Sequence, residues 1–270
     1  MPHFYGKSIN DSLHILKDTW KQKAYIGEHS RTLAEGLETA INATNESAPI
    51  RTIGYFIHRD DNNQMDPSQR ERIWEQSIFR KWNSQNQSEI PGCWKYIIAF
   101  QVPLFNDKNK DFWGKIDLLG ISQDGTLSVI ELKKDPKTLP TGRTGPSETP
   151  LRIIMEAAAY AIAIKKNWEI GFRNELIQQL RFLNVFEKID TIPEKITKIR
   201  LVGAAPASYW LDWMPTTEKG KTVTSETWGD FSTLITELGE KGFPVSFVSI
   251  NGDHNDPNTI SAEPITFPLI

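Results

Sequence analysis

The stretch from Gly114 to Lys134, GKIDLLGISQDGTLSVIELKK, constrains the fold of this chain more than any other. It holds two runs rich in Ile, Leu and Val, separated by the polar segment Ser122–Thr126. Aliphatic runs of this length are typical of strands, and the Asp-Gly between them is a common signal for a hairpin turn. Because apolar residues fall on both faces of each run, we expect two adjacent strands in the covered interior of a sheet.

Three charged residues interrupt these runs: Asp117 in the first, and Glu131 and Lys133 near the end of the second. Side chains alternate along a strand, so Glu131 and Lys133 should point to the same face. Charges in a covered sheet are rare unless they are paired or bound to a metal. Two acids and a cation so placed can hold a divalent metal and a phosphate together. The simpler alternative is a set of surface charges on a half-exposed hairpin.

The length of the turn decides whether the two acids share a face. A two-residue loop would set Asp117 opposite Leu132, and its side chain would then point away from Glu131. A three-residue loop, 123–125, shifts the register by one and sets Asp117 opposite Glu131. Ser-Gln-Asp-Gly suits the longer loop, a type I turn followed by glycine in the left-handed conformation. We therefore predict a positive φ at Gly125 and both carboxylates within reach of one ion.

The composition is that of an ordinary globular protein, with 39% hydrophobic and 24% charged residues among 270. This length suits one large domain, or one domain with a helical extension. A net charge of −3 argues against a strongly basic nucleic-acid coat but permits a local basic groove. No apolar run approaches a membrane span, and residues 1–11 lack the apolar core of a signal peptide. The single cysteine, Cys93, is interpreted as an inert buried thiol and favours a reducing compartment, so we expect a cytoplasmic protein.

Hydrophobic periodicity predicts helices and strands in alternation on both sides of the hairpin. The predicted helices are 8–42 (as one or two helices), Pro67–Trp82, a helix starting at Thr149-Pro150, Arg173–Phe186, and one ending near Gly242; the predicted strands are Ile50–Ile57, Trp94–Phe105, Ile199–Ala205 and Val245–Ile250. This alternation indicates an α/β sheet with parallel pairings and helices on its faces. We expect a helical extension over residues 1–50 and the main domain over 51–270. The polar tail after Asn251 gives no structural prediction.

The hairpin resembles the PD-(D/E)XK nuclease superfamily, the restriction-endonuclease-like fold. The matching residues are Gly114, Asp117 and Glu131-Leu132-Lys133, while Ile116 stands where the motif's name has Pro. The close resemblance covers only 114–134. It implies a mixed central sheet flanked by helices, and a Mg²⁺-dependent nuclease, most simply a DNA endonuclease, in which Mn²⁺ can substitute.

The resemblance also implies roles for individual residues. Asp117, Glu131 and Lys133 would form the catalytic set, and the metal would be held by Asp117, Glu131 and the backbone carbonyl of Leu132. Lys133 would orient the attacking water or stabilise negative charge on the phosphate.

Two helices offer further site residues. Many superfamily members carry a Glu on the helix before the sheet, and Glu75 or Glu71 fits that position. The helix after the motif is apolar nearly all round except for Glu156 and Tyr160, which resemble polar residues that superfamily members lend to the site. The plainer interpretations are solvated helix carboxylates and a core tyrosine.

The loop after the hairpin carries the basic residues Lys134, Lys137 and Arg143, candidates for contacts with the nucleic-acid backbone. Arg152 lies a little further along and is a fourth candidate. DNA is the expected partner, no membrane is expected, and a homodimer is left open. A merely solvated loop is the alternative for these basic residues. At the level of function, the alternatives are a non-catalytic member that binds nucleic acid or a protein partner, and an RNA-directed effector nuclease.

Overall fold

A six-stranded mixed sheet organises the residues described by the computed structural model, which are 25–56, 70–83, 88–104, 113–133, 149–213 and 225–266. The strands are β1 (Tyr96–Pro103), β2 (Lys115–Ile121), β3 (Leu127–Leu132), β4 (Ile199–Ala205), β5 (Val245–Asn251) and β6 (Ser261–Ile265). The helices are α1 (Tyr25–Glu35), α2 (Leu37–Ser47), α3 (Arg70–Trp82), α4 (Pro150–Asn167), α5 (Arg173–Phe182), α6 (Ala207–Trp213) and α7 (Ser225–Glu240).

The strands lie in the sheet in chain order. β1, β2 and β3 form an antiparallel meander, β3, β4 and β5 run parallel, and β6 closes the sheet as an antiparallel edge. Helices make the crossovers between the parallel strands, as parallel pairing requires. The predicted α/β class with a mixed sheet and parallel pairings is confirmed. Among the described helices, none is long and apolar enough to cross a membrane.

Each face of the sheet carries its own hydrophobic core. On one face, which we call the α3-side core, Trp74, Ile78 and Trp82 pack with sheet residues such as Leu118 and Ile130. The other face, the α4-side core, contains the apolar residues of α4 together with sheet residues from β1 to β5. The helices α1 and α2 belong to this second core, with α1 against α7 and α2 against α4. The central strands are therefore covered on both faces, which explains their two-sided apolar sequence.

The predicted strand Ile50–Ile57 is wrong in its described part. Residues 50–56 are irregular, Gly54 has a φ of 82°, and Ile53 is exposed. The backbone N–H groups of Gly54 and Tyr55 donate to the carboxylate of Glu175 instead of to a neighbouring strand. A side chain from a distant helix thus satisfies the amides that a strand would have paired.

Two further differences lie at element ends. The helix predicted over Arg173–Phe186 ends at Phe182, because Asn184 adopts a left-handed φ of 57° before a short 3₁₀ helix starts at Phe186. The tail that gave no prediction contains β6, whose Pro264 is tolerated because the strand is an edge. The predicted N-terminal helical region is two helices over 25–47, and residues 1–24 lie outside the described part.

Candidate active site

The turn between β2 and β3 has the predicted geometry. The N–H of Gly125 donates to the carbonyl of Ser122 at 3.0 Å, and the N–H of Ser122 donates to the carbonyl of Thr126 at 3.0 Å. Gly125 has a φ of 81°, and a Cβ there would lie 2.4 Å from the hydroxyl of Thr191. The three-residue loop and the positive φ at Gly125 are both confirmed.

The same register carries the two acids to one rung of the hairpin. Paired residues run from Ile121–Leu127 down to Leu118–Ile130. One step further, Asp117 falls opposite Glu131, as the longer loop predicts.

The ladder between β2 and β3 stops just before the acids, although both strands continue. Where the next backbone hydrogen bond would form, the N–H of Leu132 donates instead to Oδ2 of Asp117 at 2.9 Å. The Asp117 carboxylate therefore lies between the two strands rather than standing out from the sheet. This placement fixes the side chain at the mouth of a gap between β2 and β3.

The carbonyl of Leu132 is directed to the same gap. On the other side of β3, the N–H of Lys133 donates to the carbonyl of Ala204 at 2.8 Å. The N–H and C=O of one trans peptide point in opposite directions. Because the Lys133 N–H faces β4, the Leu132 carbonyl faces β2, on the side of Asp117. A backbone oxygen and a carboxylate thus converge on one place.

Glu131 and Lys133 belong to a cluster of ion pairs between β3 and α4. The Lys133 Nζ donates to Oε1 of Glu131 at 2.6 Å and to Oε2 of Glu156 at 2.9 Å. Arg152 donates to Oε1 of Glu156 through Nε at 2.9 Å and Nη2 at 2.8 Å. Lys133 is therefore shared between Glu131 and Glu156, and Glu156 holds Arg152 as well.

Small residues allow α4 to approach the sheet at this point. Gly203 of β4 lies beside Glu131, and a Cβ there would be 3.1 Å from the Ile153 side chain. The helix begins as predicted, with Thr149 as N-cap accepting from the N–H of Arg152 at 3.1 Å, and Pro150 in its first turn. The cap sets the start of α4, and Gly203 sets its distance from Glu131.

The two acids of the cluster respond to burial in opposite ways. Burial and the charge of Asp117 raise the pKa of Glu131, and Lys133 offsets this only in part. Burial would raise the pKa of Glu156 too, but Lys133 and Arg152 together lower it to about 2. Although Lys133 lies nearer to Glu131, Glu156 receives two cations while Glu131 also faces Asp117. Glu131 is therefore the acid that an additional cation would stabilise most.

One oxygen of Glu131 reinforces this conclusion. Its Oε2 is buried, and no residue of the described chain donates a hydrogen bond to it. A buried carboxylate oxygen without a donor is costly, because it has lost water without a replacement. A metal ion bound to this oxygen would restore the lost interaction.

A further acid, from the other face of the sheet, contacts the residue opposite Asp117. Glu75 of α3 is only 1% exposed, and Nε2 of Gln101 donates to its Oε2 at 2.7 Å. Gln101 lies opposite Asp117, since the pairs on either side of it, Phe100–Leu118 and Val102–Ile116, are in register. The structure thus connects Glu75 to the Asp117 rung through Gln101. The side chain of Glu71 lies outside the described part.

The sequence alone does not identify Gln101 as a site residue. It stands in the middle of an apolar strand, and nothing in that sequence distinguishes it from a surface glutamine. Its role depends on a contact with α3, the helix that precedes β1 in the chain, and not on its neighbours in sequence. Only the three-dimensional structure pairs it with Glu75.

The donor set suits a hard divalent cation. Among the described residues, no three His, Cys, Asp or Glu side chains are grouped as a metal site. Mg²⁺, however, is commonly held by one or two carboxylates, with water and substrate oxygens completing the octahedron. Asp117, Glu131 and the Leu132 carbonyl offer two carboxylates and one carbonyl of this kind. The residues present therefore fit Mg²⁺.

The remaining candidates are Tyr160 and three basic residues that follow β3 in the chain. Tyr160 is buried in the α4-side core, one turn beyond Glu156. Lys134, Lys137 and Arg143 lie outside the described residues. Cys93 is buried, and burial raises the pKa of its thiol to about 12, as expected for an inert residue.

No protein-family model, curated protein or solved structure matches this chain. A function must therefore be argued from the geometry and chemistry of its own residues.

Proposed function

We propose that this protein is a Mg²⁺-dependent nuclease of the PD-(D/E)XK type, with DNA as its substrate and endonucleolytic cleavage as its reaction. The observation that carries the proposal is the environment of Glu131. This buried acid lies opposite Asp117, contacts Lys133, and has one oxygen to which no described residue donates. Two acids and a lysine in this relation fit a metal and a phosphate better than they fit a structural ion pair.

The residues divide the chemistry among them. Asp117, Glu131 and the Leu132 carbonyl would hold the metal. When bound, Mg²⁺ activates water and neutralises charge on the phosphate oxygens. Lys133 donates hydrogen bonds to the attacking water or to a phosphate oxygen, and so stabilises the charge that develops there. Glu156, held by Arg152, keeps the Lys133 ammonium at the site.

The preference for DNA rests on the resemblance of 114–134 to the superfamily. Lys134, Lys137 and Arg143 follow the site in the chain and would contact the phosphate backbone. A non-catalytic nucleic-acid-binding protein would need no set of Asp117, Glu131 and Lys133 arranged in this way. An RNA-directed nuclease would use the same residues, and cleavage of RNA in preference to DNA would identify it.

The test is incubation of the purified protein with plasmid, linear and single-stranded DNA and with RNA, in Mg²⁺, Mn²⁺ or EDTA. We expect cleavage of circular DNA in Mg²⁺ or Mn²⁺ and none in EDTA. Asp117→Asn and Lys133→Ala should each reduce the rate about 100-fold or more while leaving the circular dichroism spectrum unchanged. Activity that persists in EDTA, or an Asp117→Asn protein with wild-type activity, would refute the proposal.

A further inference from the structure

The backbone of Gln101 is unusual for a residue inside a strand. Its φ is 53°, a left-handed value that non-glycine residues rarely adopt. Among the described residues, the only other non-glycine with positive φ is Asn184, which follows the end of a helix. Asparagine tolerates this conformation, whereas glutamine in a strand is strained by on the order of 1–3 kcal/mol. Strain of this kind persists where the surrounding structure enforces it.

Both strands change faces at this rung. In a regular strand, residues two apart share a face. Here Phe100 packs against the α3-side core and Val102 belongs to the α4-side core. On β2, Leu118 lies in the α3-side core and Ile116 in the α4-side core. The regular alternation therefore breaks in both strands at the same place.

At this break in alternation, the side chains of Asp117 and Gln101 point in different directions. Asp117 reaches sideways to the N–H of Leu132 on β3, at 2.9 Å. Gln101 reaches to Glu75 on α3, at 2.7 Å. In a regular rung, both side chains would instead project from one face of the sheet. The strained glutamine thus connects the buried Glu75 carboxylate to the rung that carries Asp117.

We infer that Gln101 is a positioning residue of this site. Its left-handed backbone allows the opposite side chain, Asp117, to point toward β3, and its amide holds the Glu75 carboxylate at this rung. The inference rests on the proposed function. Residues that orient metal ligands from behind typically change metal affinity by about 10- to 100-fold when they are removed.

Gln101→Gly separates the two contributions of Gln101. Glycine accepts a positive φ without strain, so this variant should retain the backbone turn. It loses the amide that holds Glu75. We expect roughly tenfold weaker Mn²⁺ binding by calorimetry, and a similar rise in the Mg²⁺ concentration for half-maximal cleavage.

Two further variants identify what the amide does. Glu75→Gln keeps an acceptor for Gln101 but removes the charge, so it reports the electrostatic part alone. In the double variant, the loss should be no greater than that of the more affected single variant, because both act through one contact. Asn184→Gly is the matched control: it relieves the other left-handed residue, which follows α5 and lies outside the strands of the site, and should leave Mn²⁺ binding unchanged.

The outcomes separate this inference from the proposed function. A wild-type protein that neither binds Mn²⁺ nor cleaves nucleic acid overturns both. A wild type that binds and cleaves, with Gln101→Gly doing both equally well, overturns the positioning role alone. If Gln101→Gly does not fold, Gln101→Asn replaces it, since asparagine accepts the left-handed conformation and is too short to reach Glu75. Wild-type Mn²⁺ affinity in that variant also counts against the inference.

Discussion

The two ends of the β2–β3 hairpin place acids in opposite circumstances. At the turn, Asp124 is surrounded by donors, and hydrogen bonds from Thr126 and Ser122 outweigh the effect of burial and lower its pKa to about 2. At the far end, burial and Asp117 raise the pKa of Glu131, and one of its oxygens receives no donor from the described residues. The same hairpin thus stabilises one carboxylate and destabilises the other. The difference separates residues that form the fold from residues available for chemistry.

At the turn end, polar groups form a closed network of hydrogen bonds. Ser122 Oγ and the N–H of Thr126 donate to Oδ1 of Asp124 at 2.8 and 3.0 Å. The buried Arg200 donates to Ser122 Oγ at 2.9 Å, and Lys188 donates to the Gln123 carbonyl at 2.8 Å. Donors and acceptors satisfy one another there. The network fixes the turn, and the turn fixes the register that brings Asp117 to Glu131.

The largest effect should come from exchanging each acid for its amide. Glu131→Gln removes a charge that the metal needs, so we expect nuclease activity to fall at least about 100-fold. Asp124→Asn removes a charge of the same kind from the same hairpin, and activity should stay within about twofold of the wild type. Initial rates of plasmid cleavage in Mg²⁺, at equal folded protein concentrations, measure both.

Equal losses of activity in Glu131→Gln and Asp124→Asn would contradict the difference between the two ends of the hairpin. Such a result would mean that the turn, and not a metal-binding acid, limits the reaction. Equal retention of activity would remove Glu131 from the proposed mechanism.

The next effect concerns the turn itself. Gly125→Ala forces a Cβ into a left-handed residue and to within 2.4 Å of the Thr191 hydroxyl. We expect a loss of roughly 2–4 kcal/mol in the free energy of unfolding, measured by urea denaturation. Gly229→Ala is the control, because a Cβ there meets no atom within 4 Å and lies in α7. It should stabilise the protein by about 0.5–1 kcal/mol. Equal stabilities for the two variants would contradict the role of Gly125.

Much of the site could be predicted because its geometry follows from local chemistry. Ser-Gln-Asp-Gly specifies the loop length, the loop specifies the register, and the register sets Asp117 opposite Glu131. From the sequence, Glu156 could be named only as a candidate site residue. Its contact with Lys133 depends on the close approach of α4, which requires Gly203 on a strand 70 residues away from the hairpin in sequence.

The rest could not be predicted because distant groups decide it. Gln101 has a left-handed backbone at the rung where β1 and β2 both change faces, and its amide contacts α3. Residues 50–56 have strand-like composition, yet Glu175 of α5 accepts hydrogen bonds from the amides of Gly54 and Tyr55. The edge strand β6 lacks the apolar alternation of a half-buried strand, since most of its side chains are exposed or half-buried. Periodicity carries no information about contacts of this kind.

A smaller effect should distinguish the basic residues at the two ends. Lys137 and Arg143 follow the site end, and each phosphate contact adds about 0.9 to the magnitude of the slope of log affinity against log salt. With Ca²⁺ in place of Mg²⁺, replacing both with alanine should lower that magnitude by about 2 if both bind phosphate. Replacing the exposed Lys195 and Lys198, next to the turn end, removes the same charge and should leave the slope unchanged. Equal slopes for both double variants would place the nucleic acid elsewhere.

The smallest expected effect is on the free energy of unfolding, which replacement of Asp124 and replacement of Glu131 should change in opposite directions. The pKa of Asp124 is lowered in the fold, so its contribution is present above an unfolded value of about 3.9 and is lost as the pH falls toward about 2. The pKa of Glu131 is raised, so its ionisation destabilises the fold progressively above an unfolded value of about 4.3. At pH 7 without metal, Asp124→Asn should therefore be less stable than the wild type and Glu131→Gln more stable.

Urea denaturation in EDTA between pH 3 and pH 8 measures both differences. Asp124 is exposed, and solvent screening limits its contribution to about 0.5 kcal/mol. Relief of the buried Glu131 charge should have the opposite sign. Because both acids approach their neutral form at low pH, both differences should shrink toward zero from opposite sides. A Glu131→Gln protein less stable than the wild type at pH 7 would mean that Glu131 serves the fold as Asp124 does, and the contrast between the two ends of the hairpin would disappear.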